Sequence, residues 1–176
     1  FPPIHQGYFV MNNGGIIEGA KTSIRVESGG MVLAFDSYIR NSGGALFEPY
    51  SYANTSRFSN CEFTCDMNSF AFADPYFHAT LQGVRGVNFT NCDFSVTSIP
   101  IGQFSNLTGI NGDGSNFKVV GSTFTEFETG IYADGGVFSP YKSITVNGCT
   151  FNNNHEGIFT LGMQNCAITQ NTFHIK

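Results

Sequence analysis

Charged residues are scarce in this chain of 176 amino acids. Only 12% of the residues are Asp, Glu, Lys or Arg, about half of the share that is usual in globular proteins, and the net charge is −5. No cluster of Lys or Arg occurs, which argues against binding to the phosphates of a nucleic acid. Disorder does not follow from the low charge, because 19 Phe and 7 Tyr supply ample apolar surface for a core.

Long apolar runs are missing as well. No apolar stretch reaches the roughly 18 residues of a transmembrane helix, so no membrane insertion is predicted. The opening residues Phe1-Pro2-Pro3-Ile4 lack the basic start and apolar core of a signal peptide. We expect one domain over residues 1–176 that belongs to a longer polypeptide. Other domains of that polypeptide, or a partner chain, would then cover its ends.

Metal-binding motifs are absent too. The histidines show no H-x-x-x-H spacing and no Cys-x-x-Cys partner, so neither a metal site nor a cofactor is predicted, and the histidines are expected at the surface. The four histidines are His5, His78, His155 and His174.

One short pattern recurs six times. Each copy has an apolar anchor, a small residue two positions earlier and an apolar residue five positions earlier. The anchors are Ile39, Phe63, Phe94, Phe124, Phe151 and Phe173, with spacings of 24, 31, 30, 27 and 22 residues. The small residues are Ser37, Cys61, Cys92, Ser122, Cys149 and Asn171. A rigid motif at variable spacing is typical of a solenoid with loops of unequal length.

The pattern within each copy predicts β-strands. Apolar residues alternate with polar ones, as in Ile144-Thr145-Val146, and no helical periodicity competes. A second strand is predicted six and seven residues after each of the first five anchors, at Ala45-Leu46, Ser69-Phe70, Pro100-Ile101, Gly130-Ile131 and Gly157-Ile158. A repeat of this length cannot bury its apolar face alone, so the coils must stack with parallel strand pairing.

The predicted fold is therefore an all-β, single-stranded right-handed parallel β-helix of about six to seven coils, its hand following the rule for parallel crossovers. Residues 31–173 form the regular coils. Residues 1–30 are either a degenerate coil anchored by Ile17 or a lead-in cap.

The five cysteines invite two interpretations. Cys61, Cys92 and Cys149 share one repeat position and are predicted to fill the core as small apolar groups. A disulfide between Cys61 and Cys92 stays open, since neighbouring coils would set their backbones about 5 Å apart. Cys65 lies outside the repeat and is expected to be the exposed thiol.

Two copies of the repeat and a following dipeptide carry a family resemblance. The strings Phe89-Thr-Asn-Cys-Asp-Phe94 and Val146-Asn-Gly-Cys-Thr-Phe151, with Gly157-Ile158, resemble the right-handed β-helix of the pectin-lyase-like superfamily. The likeness is closer to repeat segments of large secreted surface proteins from Bacteroidota-type bacteria, and it covers about residues 17–173. It implies export and an extracellular or cell-surface location. The superfamily's catalytic strings, such as Asn-Thr-Asp and Gly-His-Gly, do not occur here.

The two longest coils carry inserts at 74–78 and 103–106 that should leave the solenoid as neighbours and form a lateral rim. Aromatic rings beside amides and carboxylates suit a sugar surface, although the rings could instead fold back onto the solenoid. The predicted glycan rim comprises Tyr76, Phe77, His78, Phe104, Asn111 and Asp113.

These observations favour a non-catalytic extracellular module, acting as a rigid spacer or adhesin with a polysaccharide as candidate ligand. No catalytic residue is assigned. The alternative is a fragment of a polysaccharide lyase or glycoside hydrolase, which would need a carboxylate pair such as Glu126 with Glu128 or Asp113 with Asp134. The competing interpretation of these acids is that they are solvated turn residues.

Overall fold

A computed structural model describes residues 7–20, 23–26, 30–42, 45–47, 56–68, 77–100, 103, 105–136 and 142–174. Short strands dominate this part of the chain. In chain order the strands are β1 (Tyr8–Met11), β2 (Ile16–Glu18), β3 (Ile24–Val26), β4 (Met31–Phe35), β5 (Tyr38–Arg40), β6 (Ala45–Phe47), β7 (Arg57–Ser59), β8 (Glu62–Asp66), β9 (Phe77–Gln82), β10 (Arg85–Thr90), β11 (Asp93–Thr97), β12 (Thr108–Asp113), β13 (Asn116–Val120), β14 (Thr123–Thr125), β15 (Thr129–Asp134), β16 (Ser143–Asn147), β17 (Thr150–Asn152), β18 (Glu156–Leu161), β19 (Asn165–Thr169) and β20 (Thr172–His174).

The strands form three parallel sheets that the chain visits in turn. Sheet A has the order β1-β4-β7-β10-β13-β16-β19, and sheet B has the order β2-β5-β8-β11-β14-β17-β20. Sheet C has the order β3-β6-β9-β12-β15-β18. Each strand inside a sheet pairs in parallel with the strand one coil before it and the strand one coil after it. The predicted parallel β-solenoid is therefore confirmed.

The anchors of the repeat form a continuous column inside the solenoid. Register pairs Phe63 with Phe94, Phe94 with Phe124, and Phe124 with Phe151. The ring centroids of these successive pairs lie 4.5, 4.7 and 5.1 Å apart, with planes within 8° of parallel. The ring separation matches the roughly 4.8 Å between paired strands, so the rings stack without distorting the sheet.

The corner between sheets A and B has nearly the same build in every coil. One residue there has a positive φ, which turns the chain sharply and aims the next strand into sheet B. These residues are Asn13, Asp36, Asn60, Asn91, Gly121, Gly148 and Gln170. Asn91 donates its side-chain amide to Asn60 Oδ1 at 3.5 Å, and Asn60 donates to Asp36 Oδ1 at 3.0 Å. Hydrogen bonds between stacked side chains thus join three successive coils at this bend.

The cysteines are all free thiols. Cys61, Cys92 and Cys149 are buried beside the phenylalanine column, as predicted for core residues. The expectation that Cys65 is exposed was wrong. Register pairs Cys65 with buried Val96, Cys65 is 1% exposed, and burial raises the pKa of its thiol to about 11. The exposed thiol is Cys166, on the last strand of sheet A.

The sequence predicted the column of sheet C only in part. Gly130-Ile131 and Gly157-Ile158 lie in register, as expected. Their partners in the coils before are Gly109-Ile110 and His78-Ala79, not Pro100-Ile101 and Ser69-Phe70. In the coil of β6, Ala45 pairs with Ala79, so Ala45 rather than Leu46 occupies the isoleucine column. The corner between sheets B and C varies in length, so a fixed count from the anchor misplaces the strand.

Gly130 lies where a phenylalanine ring approaches the backbone of sheet C. A Cβ added at Gly130 would lie 2.7 Å from Gly157 O and 2.9 Å from Phe151 Cδ1. Neither atom belongs to the far end of a flexible side chain. The absence of a side chain here therefore lets the aromatic column pack directly against the neighbouring sheet.

We expect Gly130→Ala to lower the free energy of unfolding by about 1–3 kcal/mol, because the added methyl group must displace the backbone or a stacked ring. Gly7→Ala is the matched control, since a Cβ at Gly7 would meet nothing within 4 Å. Denaturant unfolding of the two variants measures the difference. Equal stabilities would contradict the tight packing at Gly130.

The thiols should differ sharply in reactivity. We expect one of the five to react rapidly with an aromatic disulfide reagent in the native protein, and all five to react after denaturation. Cys166→Ser should abolish the rapid phase, whereas Cys65→Ser should leave it intact. Loss of a rapid phase in Cys65→Ser would show that Cys65 is accessible.

Candidate surface groove at the corner between sheets B and C

A groove opens where the chain leaves sheet B after β8 and β11. Its volume is about 440 Å³. We call it the corner groove, and it is lined by Met67, Asn68, Ser98, Ile99, Pro100, Gln103, Ser105 and Asn106. A second depression of about 240 Å³ shares Ser98 and Ile99 with it and adds Val96 and Glu126. Together the two depressions extend across three coils.

The lining of the corner groove combines an apolar floor with amide groups. Met67 and Ile99 are partly buried and pack against the core. Asn68, Gln103 and Asn106 are exposed. Each of these side chains carries both hydrogen-bond donors and an acceptor. The groove therefore offers apolar contact and neutral hydrogen bonding at the same place.

The far wall of the corner groove is fixed to the next coil. The Ser105 hydroxyl is buried and donates to the backbone oxygen of Glu126 at 2.6 Å. Ser98 and Glu126 both have positive φ, at 59° and 65°, and mark the turns out of sheet B. Leu107, two residues after Ser105, is 2% exposed and belongs to the core. The wall is thus anchored on both sides of Asn106.

The acids after β14 are engaged by the following coil. Asn153 Nδ2 donates to Glu126 Oε1 at 3.0 Å, and His155 Nδ1 lies 2.7 Å from Glu128 Oε1. Glu126 has the positive φ of a turn, so Glu126 and Glu128 do not lie on an extended segment. Their contacts instead hold neighbouring turns together.

The outer face of sheet C carries the two predicted residues Asn111 and Asp113. Asn111 pairs in register with Thr80 and Tyr132, and Asp113 pairs with Gln82 and Asp134. Asp113 is exposed and Asp134 half-buried. Asp134 Oδ1 accepts a hydrogen bond from Gly136 N at 2.9 Å. The two carboxylates lie on adjacent strands, about 5 Å apart at their Cα atoms.

A second pair of carboxyl groups lies on the outer face of sheet B. Glu62 and Asp93 are register partners on β8 and β11. Partial burial and the neighbouring Glu62 carboxylate raise the pKa of Asp93. Arg40 NH2 lies 3.8 Å from Glu62 Oε1, which places a cation beside this pair.

The other predicted rim residues have different fates. Tyr76 and Phe104 lie outside the described residues. Phe77 begins β9, but its side chain is not among those described. His78 is 4% exposed, so the expectation that it lies at the surface was wrong. Its position beside Gly109 in register puts the imidazole inside the solenoid.

Few features of the sequence indicate the other residues of the groove. Gln103 and Asn106 fall in a predicted insert, but Asn68 and Ile99 were not singled out. The feature that distinguishes Asn68 and Ile99 in the sequence is their position. Both follow a strand of sheet B at a corner whose length varies between coils.

The His78 imidazole has an unusual environment. Its ring meets Phe127 edge to face, with centroids 5.2 Å apart, and lies 6.5 Å from the Phe94 ring. Among the residues that the structure describes, its Nε2 has no hydrogen-bond partner. Burial lowers the pKa of His78 to about 4. The neutral ring is therefore the form that the folded protein holds.

We expect stability to fall as the pH drops from about 6.5, the pKa of an unfolded histidine, towards 4. The folded-state pKa is the lower one, so the unfolded chain takes up the proton first and is stabilised relative to the folded protein. The full effect is about 3 kcal/mol. Unfolding in denaturant at pH 7 and pH 4.5 measures it. His78→Leu should flatten this dependence, and His174→Gln, at an exposed histidine, should retain it.

Other features of the described residues are simpler. Within them, no group of three or more His, Cys, Asp and Glu side chains is arranged to hold a metal ion. The same part of the chain contains no helix capable of crossing a membrane.

Comparison with known families agrees with this architecture. Residues 5–173 match the family model described as right handed beta helix region. The chain therefore belongs to the right-handed β-helix family. No curated protein and no solved structure was found to match it.

Proposed function

We propose that this chain is a non-catalytic β-helix module of an extracellular or cell-surface protein, which serves as a rigid spacer or adhesin and contacts polysaccharide through the corner groove. The observation that carries the proposal is the lining of that groove. Exposed amides stand over the apolar Met67 and Ile99 on a scaffold of paired strands. Apolar contact combined with a few placed polar groups is the usual composition of a ligand site.

The scaffold supports the binding role because it fixes the groove walls. Asn68 follows β8, Ile99 follows β11, and Asn106 precedes β12. These strands are paired on both sides within their sheets. Sites whose residues are held by rigid elements lose less conformational freedom on binding. A sugar chain would thus meet groups that are already in place.

The thiols are compatible with the extracellular location that the family resemblance implies. Oxidising surroundings would attack accessible thiols first. Four of the five cysteines are buried, and only Cys166 is exposed. Burial therefore shields the core thiols from oxidants in solution.

Binding to immobilised polysaccharides tests the proposal. We expect retention of the wild-type protein on at least one member of a broad panel. The double variant Asn68→Ala with Asn106→Ala should bind about tenfold more weakly, because two hydrogen-bonding amides are lost. Asn12→Ala is the matched control at an exposed asparagine beside the opposite corner. Absence of binding across the panel would leave only the spacer role.

A second candidate function is that of a polysaccharide lyase or glycoside hydrolase fragment. The register favours it, since Asp113 and Asp134 lie on adjacent strands, as do Glu62 and Asp93. Retaining glycosidases place two carboxyl groups about 5 Å apart. The same panel can be assayed for reducing ends and for unsaturated products. Product release that Asp113→Asn or Asp93→Asn abolishes would establish this alternative over the binding module.

A further inference from the structure

We infer that Cys61 and Cys92 are a redox-active dithiol pair, which closes to a disulfide between adjacent coils when the chain folds in the presence of a small-molecule disulfide. The two residues occupy the same position of the repeat in consecutive coils, each directly after the positive-φ residue of its corner. Their strands pair in register from the next residue onward, Glu62 with Asp93. The Cα atoms of such neighbours lie about 5 Å apart, within the range that disulfides span.

The Cys92 side chain is directed towards the coil of Cys61. Cys92 Sγ lies 3.4 Å from the backbone oxygen of Phe58, three residues before Cys61. The two thiols also share a hydrogen bond, which lowers the pKa of Cys61 and raises the pKa of Cys92. Both residues are 2% exposed. The pair is therefore in contact in the reduced protein, and disulfide formation needs only a closer approach of the two sulfur atoms.

The third cysteine of the column has no cysteine next to it. Cys149 lies between Ser122 and Asn171, and its backbone N donates to Asn171 Oδ1 at 2.8 Å. Its Sγ is directed towards the preceding coil in the same way, 3.7 Å from the backbone oxygen of Val119. The geometry is thus repeated with a single thiol, which makes Cys149 an internal control.

Thiol–disulfide exchange is the reaction, with glutathione disulfide as a suitable oxidant. The Cys61 thiolate attacks one glutathione sulfur, which breaks the S–S bond, releases a glutathione thiolate and leaves a mixed disulfide. The Cys92 thiol loses its proton to that thiolate and attacks the Cys61 sulfur, and the second glutathione thiolate leaves and is protonated by solvent. Two protein thiols are oxidised, and glutathione disulfide is reduced to two thiols. Because the folded protein buries both sulfurs, the exchange occurs before the coils close or when they open transiently.

The bond would join the two coils whose turns line the corner groove. Cys61 precedes β8, which is followed by Asn68, and Cys92 precedes β11, which is followed by Ile99. A link between these coils removes conformational entropy from the unfolded chain. We therefore expect the oxidised protein to resist denaturant better than the reduced protein.

Refolding of the double variant Cys65→Ser with Cys166→Ser tests the pair, because only the cysteines of the column remain. The reduced, denatured protein is diluted into glutathione disulfide, and the free thiols are then blocked with an alkylating reagent. Trypsin gives one cysteine each to peptides 58–85, 86–118 and 143–176. We expect the first two peptides to be linked, about tenfold more often than either is linked to the third. Dithiothreitol should separate them.

Cys61→Ser in the same background is the matched control, since the buried Ser37 and Ser122 show that serine fits this position. This substitution should abolish the link, whereas Cys149→Ser should leave its yield unchanged. Oxidation should raise the midpoint of unfolding in denaturant, and the difference between oxidised and reduced protein should vanish in Cys61→Ser. Circular dichroism should show the same β-structure in the oxidised and reduced forms.

Complete alkylation of Cys61 and Cys92 after refolding in glutathione disulfide would overturn the inference. Equal linking of all three column cysteines would do the same, because it would show that the fold does not select the pair. A link that forms only in denaturant, or that lowers the midpoint of unfolding, would show that the native coils do not accommodate the disulfide.

Discussion

In-register parallel pairing is the constraint on which the rest of this structure depends. Each strand hydrogen-bonds to its equivalents one coil away, so a residue type suited to one coil is repeated at the same place in the next. The phenylalanine column shows the result, since Phe63, Phe94 and Phe124 stack at 4.5 and 4.7 Å. A shift of one residue would turn every one of these rings to the outer face. The positive-φ residue at each corner between sheets A and B prevents that shift.

The sequence predicted sheets A and B well because the corner between them hardly varies. The spacing from Phe89 to Cys92 to Phe94 recurs in the other regular coils, so the apolar columns could be read directly from the chain. The columns of sheet C could not be predicted in the same way. Inserts before Phe77 and Thr108 change the distance from the anchor, and the residues that take the isoleucine column there are Ala79 and Ile110. The number of residues after the anchor does not reveal where the chain re-enters sheet C when a loop of variable length intervenes.

Two side chains were misjudged for related reasons. Cys65 looked irregular because only two neighbouring coils share its position, yet its register partner Val96 shows that it faces the core. His78 looked like a loop residue because its insert is rich in aromatics, yet it occupies the position that Gly109 takes one coil later. Of the predicted rim, Asn111 and Asp113 do lie on an outer face. The amides of the corner groove belong to variable turns of different coils, so the sequence did not predict that they lie close together. The candidate groove thus lies at a corner of variable length, which agrees with the general placement of binding residues on loops held by a scaffold.

The strictly neighbour-to-neighbour pairing of the sheets has a consequence for mechanics and for ancestry. A pull along the solenoid axis loads the rungs in series, so the molecule should yield by peeling from a terminus, one rung after another, rather than by a single global rupture. By the same logic a whole rung, such as the stretch from Gly121 to Gly148, is a unit that duplication can add or deletion can excise while the remaining rungs close on each other. The number of repeats in such a protein can therefore change during evolution, and the length of the solenoid changes with it.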